Sequence, residues 1–305
     1  MRVTRRRLMQ GSLAAAALAV WRSDAHARSD TTITRPISSS GEELPIVGLG
    51  SWITFNVGDD RQLQDECADV IAAFFAAGGR LIDSSPMYGS AQATIGYGLN
   101  KLRKSQSLFA ADKVWIADPA SGPAQIERSR KDWNVPRFDL LQVHNLLSWE
   151  QHLPMLLKMK DDGKVRYVGI TTSNGRRHDD IATVMASQPI DFVQVTYNVV
   201  DREVEQRILP LAKERGIAVI INRPFRQGEL TRTLDGMPLP PWAADTAATS
   251  WAQLLLKFII SHPVVTCAIP ATSRVDHVRE NLAAASGLLP DENMRRKIAD
   301  HIGTL

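Results

Sequence analysis

The sequence of 305 residues contains little cysteine and no hydrophobic run long enough to cross a membrane. Its two cysteines, Cys67 and Cys267, are too few for a disulfide scaffold or a cysteine-rich metal site. The apolar run at residues 11–21 is shorter than the roughly 20 residues that a membrane-spanning helix needs. The motifs H-E-x-x-H of zinc proteases and G-x-S-x-G of serine hydrolases are absent. We therefore predict no bound metal, no stable membrane span and two buried, unpaired thiols.

The chain also lacks a net positive charge beyond its N-terminus. The formal net charge is +3, but residues 1–27 contain five arginines against one aspartate, so residues 28–305 have a small negative balance. The high isoelectric point therefore comes from the N-terminal segment, and the remaining chain shows no charge pattern that favours nucleic-acid binding.

Residues 1–27 have the three parts of an export signal in the expected order. Arg5, Arg6 and Arg7 precede the apolar run 11–21, which is followed by the small-residue triplet at residues 25–27. The paired arginines resemble a twin-arginine signal, whose pathway exports folded proteins. We predict a signal peptide that addresses the twin-arginine export machinery and a mature chain, residues 28–305, in the periplasm. A disordered basic tail is the alternative.

Strand-like and helix-like segments alternate along residues 28–305. The strand-like runs are short and lack polar alternation, as is typical of a parallel sheet buried on both faces. The eight runs are Ile46–Gly50, Arg80–Asp83, Leu108–Asp112, Asp139–Val143, Val165–Ile170, Phe192–Thr196, Ala218–Ile221 and Val264–Ile269. The clearest helical patterns between them are Asp60–Ala77, Pro123–Trp133, Trp149–Asp162, Arg202–Arg215 and Ser250–Ser261.

This alternation predicts a single-domain (β/α)8 TIM barrel of the α/β class, a fold of about 250 residues. A doubly wound sheet is the alternative, although no G-x-G-x-x-G follows the first strand. Gly78, Gly163 and Gly216 stand where helices are expected to stop. The longest irregular stretch, residues 223–249, is predicted to be a loop on the catalytic face.

Four ionisable residues lie at the ends of three successive predicted strands. Asp83 ends the second strand, Tyr88 follows five residues later, Lys113 ends the third strand and His144 ends the fourth. We expect them to converge, because barrel active sites lie at the carboxyl ends of the strands. An ammonium lowers the pKa of a nearby tyrosine, a carboxylate holds that ammonium, and a neutral histidine orients a carbonyl. Together they indicate a general acid for a developing alkoxide.

Each of these four residues also has an ordinary structural interpretation when it is taken alone. An aspartate at a strand end is often a turn or cap residue. A histidine there is often part of the core, a tyrosine can simply pack, and a lysine can be solvated.

Two motifs are specific in combination: the D-x-x-x-x-Y spacing from Asp83 to Tyr88, and the run LQVHN that contains His144. Further segments are GLGSW at 48–52, GGRLIDSSPMYG at 78–89, FAADKVW at 109–115, GKVRYVGITTSN at 163–174, FVQVTYN at 192–198, GIAVIINRPF at 216–225 and IPATSRVDHVREN at 269–281. On these segments the chain resembles the aldo-keto reductase family over nearly all of residues 41–300. The resemblance implies hydride transfer between a bound nicotinamide cofactor and an aldehyde or ketone.

The resemblance also implies roles for the four residues at the strand ends. Tyr88 would be the proton donor, Lys113 would depress its pKa, Asp83 would anchor the lysine and His144 would orient the carbonyl. The family usually has a threonine before this lysine, whereas this chain has Asp112.

The cofactor implied by the resemblance is NADPH, with NADH as the alternative. Ser173, Asn174 and Gln194 would hydrogen-bond the nicotinamide carboxamide. The other implied cofactor-binding residues are Asn222, Arg223 and Pro224 in one segment, and Pro270, Thr272, Ser273, Arg274, Glu280 and Asn281 in the other. In the second segment, residues 272–274 would reach a 2′-phosphate and residues 280–281 the adenine.

Two departures from the family pattern weaken the preference for NADPH over NADH. Many relatives have a lysine and an arginine where this chain has Ala271 and His277. An ordinary helix capped by Ser273 is the structural alternative for this segment.

We therefore expect an exported enzyme that reduces small aldehydes or ketones. An exported nucleotide-binding module of the same fold, with vestigial or regulatory activity, is the alternative, because the family includes potassium-channel β subunits. A lyase or isomerase that needs no nucleotide is disfavoured by residues 269–281. Trp52, Trp115 and Trp242 are expected to line an apolar pocket.

Overall fold

The computed structural model of the protein describes residues 32–103 and 107–305, so the predicted signal peptide, residues 1–27, lies outside the described residues. The described chain begins with an antiparallel hairpin of β1 (Thr34–Pro36) and β2 (Glu43–Pro45). Eight parallel strands then form the central sheet in sequence order. They are β3 (Leu49–Gly50), β4 (Leu81–Asp83), β5 (Phe109–Val114), β6 (Phe138–His144), β7 (Val165–Thr171), β8 (Phe192–Thr196), β9 (Ala218–Asn222) and β10 (Val265–Ala268).

The first and last strands of this sheet meet and close it into a barrel. The backbone N–H groups of Gly48 and Gly50 donate hydrogen bonds to the carbonyl oxygens of Ala268 and Pro270, at 2.8 and 3.0 Å. The predicted (β/α)8 barrel is therefore confirmed, and the doubly wound sheet is excluded.

Helices follow the strands and cover the outside of the barrel. They are α1 (Arg61–Ala76), α2 (Ala91–Leu102), α3 (Gly122–Trp133), α4 (Trp149–Asp161), α5 (His178–Ser187), α6 (Ile208–Arg215), α7 (Glu229–Thr233), α8 (Trp251–Ile260), α9 (Val275–Ala283) and α10 (Glu292–Ile302). The Asp60 side chain caps α1 by accepting from the backbone N–H groups of Gln62 and Leu63 at 2.9 and 3.1 Å. Gly78 follows this helix with a φ of +84°, a conformation that favours glycine.

One predicted helix is shorter than its sequence pattern. The expected helix Arg202–Arg215 is a short 3-10 turn at Glu203–Glu205 followed by α6, which begins at Ile208. Pro210 accounts for the break, because a proline lacks the N–H that would bond to the carbonyl oxygen of Gln206 and its ring crowds that carbonyl group. The predicted loop 223–249 likewise contains α7 and a 3-10 turn at Pro241–Thr246.

Helix α2 has two glycines in its interior, which lower its helix propensity and concealed it in the sequence pattern. The structure explains Gly96, because a Cβ atom there would lie only 1.9 Å from the backbone oxygen of Asp132 in α3. Glycine therefore lets α2 and α3 approach each other closely.

The hairpin of β1 and β2 closes the amino-terminal end of the barrel. Ile37 and Leu44 of this hairpin are fully buried, in one cluster with Phe109, Phe192 and Ala218. These last three residues are the first residues of β5, β8 and β9. The hairpin thus seals the end of the barrel opposite to the carboxyl ends of the strands.

The thiols of Cys67 and Cys267 are both free and buried. Burial raises the pKa of Cys67 to about 11 and also raises the pKa of Cys267. Within residues 32–103 and 107–305, no helix is both long and apolar enough to span a bilayer. The same residues contain no group of three or more potential metal ligands among histidine, cysteine, aspartate and glutamate.

Candidate active site

A buried ion pair joins two neighbouring strands at the centre of the site. Lys113 of β5 is fully buried, and its Nζ lies 2.6 Å from Asp83 Oδ2, at the end of β4. The same ammonium donates to the carbonyl oxygen of Ser84 at 2.7 Å. Although burial alone lowers the pKa of Lys113, the charge of Asp83 and the contact with Tyr88 outweigh it, so the pKa is raised. The lysine is therefore a fixed positive charge.

Two glutamine side chains hold the other oxygen of Asp83. Gln194 of β8 donates from Nε2 to Asp83 Oδ1 at 2.9 Å, and Gln142 of β6 donates to the same atom at 3.3 Å. The Oε1 atom of Gln194 in turn accepts from Thr171 Oγ1 at 3.2 Å. The carboxylate is thus oriented from three strands, and the side-chain amide of Gln194 already has partners at both ends.

Tyr88 lies over this ion pair. The Nζ of Lys113 is 5.2 Å from the centroid of the tyrosine ring. Burial raises the pKa of Tyr88 above its ordinary value, while the charge of Lys113 acts in the opposite direction. Lys113 therefore lowers the pKa of Tyr88, as the sequence predicted, but burial outweighs this effect and the net pKa is raised. The phenol is protonated at neutral pH.

His144 stands edge-on to Tyr88, with the ring centroids 5.8 Å apart and the planes at 90°. The ring is buried at the end of β6, and its Nδ1 lies 2.8 Å from Ser85 Oγ. Burial, aided by the charge of Lys113, lowers the pKa of His144 to about 2. The imidazole is therefore neutral, as carbonyl orientation requires.

Asp112 is a second buried carboxyl group directly beside the site. It accepts hydrogen bonds from Gln92 Nε2 of α2 at 2.6 Å and from the backbone N–H of Lys113 at 2.7 Å. Burial raises the pKa of Asp112 to about 7, although the Lys113 charge and both hydrogen bonds oppose this shift. Its side chain bonds to α2 rather than to the groups around Asp83.

A cavity of about 890 Å³ lies at the carboxyl ends of the strands, beside the four catalytic candidates. Asp83, Tyr88 and His144 line it, whereas Lys113 lies behind them. The implied cofactor-binding residues that also line it are Ser173, Asn174, Gln194, Asn222, Arg223, Pro224, Thr272, Glu280 and Asn281. The structure therefore brings together three of the four catalytic candidates and most of the cofactor candidates around one opening.

Three residues of the implied adenosine segment do not line the cavity. Pro270 is buried, and its backbone oxygen accepts from Gly50 N. Ser273 is exposed, and the guanidinium of Arg274 is paired with the carboxylate of Asp276, with Nε 3.0 Å from Oδ1. The positive charge expected to meet a 2′-phosphate is thus partly neutralised by its own neighbour.

Two of the three tryptophans expected in an apolar pocket are near the site. Trp52 lines the cavity, and the ring of Trp115 is 6.5 Å from the ring of His144. The expectation for Trp242 is wrong, because this ring packs against His301 and lies under the ammonium of Lys297. Although Trp242 lies in the long loop, its side chain contacts α10 rather than the cavity.

Sequence reasoning missed the polar residues that support the reactive groups, above all Ser85 and Gln142. Gln142 stands two residues before His144 on β6, so the two side chains point to the same face of the strand. That alternation was the available signal for Gln142. No comparable signal exists for Ser85, because its contact with His144 depends on how the loop after β4 meets the end of β6.

The profile of the aldo/keto reductase family matches residues 46–299, and the chain belongs to this family. It is accordingly an NAD(P)H-dependent oxidoreductase of aldehydes and ketones.

Two relatives and one solved structure illustrate the similarity. The NADH-specific methylglyoxal reductase of Escherichia coli (strain K12) is 25% identical over 87% of this chain and 92% of its own length. A second methylglyoxal reductase of that strain is 27% identical over 81% of this chain and 88% of its own. The crystal structure of an aldo/keto reductase from Klebsiella pneumoniae in complex with NADP and acetate has a TM-score of 0.73 and 22% identity, over 86% of this chain and 93% of that one, which shows the fold.

Proposed function

We propose that the protein reduces small aldehydes or ketones with NADPH and that Tyr88 is the proton donor. The observation that carries this proposal is the arrangement of a protonated tyrosine over the buried pair of Lys113 and Asp83, beside a neutral histidine. When bound, the reduced cofactor supplies a hydride to the carbonyl carbon and is itself oxidised. The carbonyl is reduced, and its oxygen develops the negative charge of an alkoxide.

The chain's own residues manage that charge. The phenolic O–H of Tyr88 gives its proton to the developing alkoxide, so that an alcohol and a tyrosinate result. Lys113 stabilises the tyrosinate, because an ammonium favours the ionised form of a nearby group. Asp83 holds the ammonium 2.6 Å away, and the neutral ring of His144 orients the carbonyl oxygen next to the phenol.

The cavity residues fit a nicotinamide nucleotide. The cavity has a volume of about 890 Å³, which is in the range of small-molecule and cofactor sites. Ser173 and Asn174 present a hydroxyl and an amide group of the kind that pair with a carboxamide. The side-chain amide of Asn222 lines the same cavity but already bonds to Thr196 Oγ1 and to the carbonyl oxygen of Thr172. At the other end, the pairing of Arg274 with Asp276 reduces the attraction for a 2′-phosphate. NADH is therefore the alternative cofactor that the site allows.

The direct test is the substitution Tyr88→Phe, which removes only the hydroxyl group and keeps the ring. General acid catalysis contributes about 10²–10⁴-fold, so kcat should fall by that range while folding is retained. The assay follows NADPH or NADH oxidation with a panel of aldehydes that includes methylglyoxal. A variant that reduces an aldehyde at nearly the wild-type rate would refute the role of Tyr88.

The same assay separates the enzyme from a nucleotide-binding module of the same fold. A module would bind NADPH, as seen by a change in nucleotide fluorescence, without steady-state turnover of any aldehyde in the panel. We propose turnover, because a module that only binds nucleotide has no need for a buried lysine beneath a protonated tyrosine.

We also propose that residues 1–27 direct the folded protein through the twin-arginine pathway to the periplasm. The order of arginines, apolar run and small-residue triplet supports this proposal. Fractionation of cells should place the protein in the periplasm, whereas a double change of Arg5 and Arg6 to lysine should keep it in the cytoplasm. Equal distribution of both forms would refute it.

A further inference from the structure

Ser85 connects the loop after β4 to the histidine of the active site. Its side chain is fully buried, and its Oγ lies 2.8 Å from His144 Nδ1. The same oxygen accepts a hydrogen bond from the backbone N–H of Met87 at 3.2 Å. Within the part of the chain that the structure describes, these are the two hydrogen-bond partners of this hydroxyl group.

The positions of the hydrogen atoms follow from these two contacts. The N–H of Met87 can only donate, so it takes one acceptor site of the oxygen and leaves the hydroxyl proton to be placed. His144 Nδ1 is the one acceptor within reach of that proton among the described residues. If Nδ1 carried a proton itself, the buried hydroxyl proton would have no acceptor, which proteins strongly avoid.

We propose that Ser85 donates its hydroxyl proton to Nδ1 and thereby fixes His144 as the tautomer that carries its proton on Nε2. This inference rests on the proposed function, in which His144 orients the carbonyl oxygen. Ser85 is a positioning residue, since it acts through His144.

The tautomer decides what His144 offers to the substrate. With Nδ1 occupied by Ser85, the Nε2–H is the group left for the cavity that His144 lines, and it donates a hydrogen bond to a carbonyl oxygen. The opposite tautomer would present a lone pair there, which repels that oxygen. Because burial lowers the pKa of His144 to about 2, protonation of both nitrogens does not supply the donor at working pH. The choice between the neutral tautomers therefore rests on Ser85.

The first test is the tautomer itself, measured on the intact protein labelled with ¹⁵N in histidine. The chain has seven histidines, and the signals of His144 are identified by their loss in a His144→Gln variant. We expect the long-range ¹⁵N–¹H pattern of a neutral ring protonated on Nε2, with Nδ1 shifted as a hydrogen-bond acceptor. A ring protonated on Nδ1 would overturn the proposal, and this measurement needs no turnover.

The second test removes the hydroxyl group with Ser85→Ala. The Nδ1 signal should move to the position of a nitrogen without a hydrogen bond. Loss of an outer partner of a functional histidine costs about 10–100-fold at metal sites, and we expect kcat/KM to fall in that range. Ser85→Thr, which keeps a hydroxyl group, should restore most of the loss. An Ala variant with an unchanged Nδ1 signal, or with unchanged kcat/KM, would overturn the proposal.

Thr94→Val is the matched control. Thr94 is also buried, its Oγ1 has no hydrogen-bond partner among the described residues, and it does not line the cavity. This change therefore removes a hydroxyl group that contacts neither His144 nor the cavity. It should leave the His144 signals and kcat/KM near their wild-type values. If the wild type shows the Nε2–H tautomer but reduces no aldehyde, the proposed function fails while the assignment of the tautomer stands. If it turns over with the opposite tautomer, only the role of Ser85 fails.

Discussion

The buried carboxyl group of Asp112 should make the protein less stable as the pH rises, and Asp112→Asn should remove this loss. Asp112 receives two hydrogen bonds but forms no ion pair within the described part of the chain, because the nearby ammonium of Lys113 bonds to Asp83. An asparagine keeps an oxygen for the backbone N–H of Lys113. Its amide group can also pair with Gln92 once that side chain rotates by half a turn. The substitution therefore removes a buried charge with little loss of hydrogen bonding.

The magnitude follows from the pKa, which is raised from 3.8 to about 7 in the folded protein. Since the folded state binds the proton more tightly than the unfolded state, the contribution of Asp112 to stability is present below about pH 4. It is lost as the pH rises through about 7. A difference of about three pKa units corresponds to at most about 4 kcal/mol. Allowing for relaxation around the charge, we expect the asparagine to gain about 2–4 kcal/mol over wild type at pH 8.

Thermal denaturation of both proteins at several values between pH 5 and pH 8 measures this effect. For a chain of this size a gain of 1 kcal/mol raises Tm by about 2–4 °C, so Tm should be at least about 4 °C higher at pH 8. The difference should shrink toward pH 5. Asp191→Asn is the matched control, because Asp191 is buried but paired with Lys160 at 2.7 Å, and its substitution should lower Tm. If Asp112→Asn does not raise Tm at pH 8, the reasoning is refuted. A rise in Tm that is the same at pH 5 and pH 8 would refute it as well.

Three further predictions concern the lysine of the site, the packing of α2 and the thiols. Lys113→Met should reduce kcat about as much as Tyr88→Phe, and the double variant should be little worse, because residues that act as one unit are not additive; fully multiplicative losses would place the lysine outside the unit. Gly96→Ala should lower the free energy of unfolding by about 1–3 kcal/mol in urea titrations, because overpacking against α3 outweighs the higher helix propensity of alanine; a more stable variant would contradict the close approach. Reducing agent should leave Tm unchanged, and a non-reducing peptide map that links Cys67 to Cys267 would show this prediction to be wrong.

The parts of this structure that sequence reasoning predicted are those that depend on local pattern. Runs of β-branched residues and leucine identified the barrel strands, since both faces of a parallel sheet are buried. The strand-end rule then selected Asp83, Tyr88 and His144, which the structure brings to one cavity. Family resemblance supplied their roles, which remain predictions. Lys113, predicted to end the third barrel strand, also lies at this site, one residue before the end of β5.

The parts that were missed depend on contacts between distant segments. Helix α2 was missed because Gly96 lowers helix propensity, and only its contact with α3 explains that glycine. The hydrogen bond of Ser85 to His144 joins residues 59 positions apart, so no local pattern contains it. Trp242 shows the converse, since a place in the long loop suggested the pocket but its side chain packs on His301.

The hairpin that seals the amino-terminal end of the barrel offers a side for fusion or immobilisation of the protein. Ile37 and Leu44 place the hairpin against the first residues of the strands, whereas Tyr88 and His144 line the cavity at the opposite ends. A linker attached at Thr34, the first residue of β1, therefore joins the barrel on its closed side. An enzyme immobilised on a bead or electrode through this side would keep its cavity turned toward the solution, so that substrate diffuses in without passing the support.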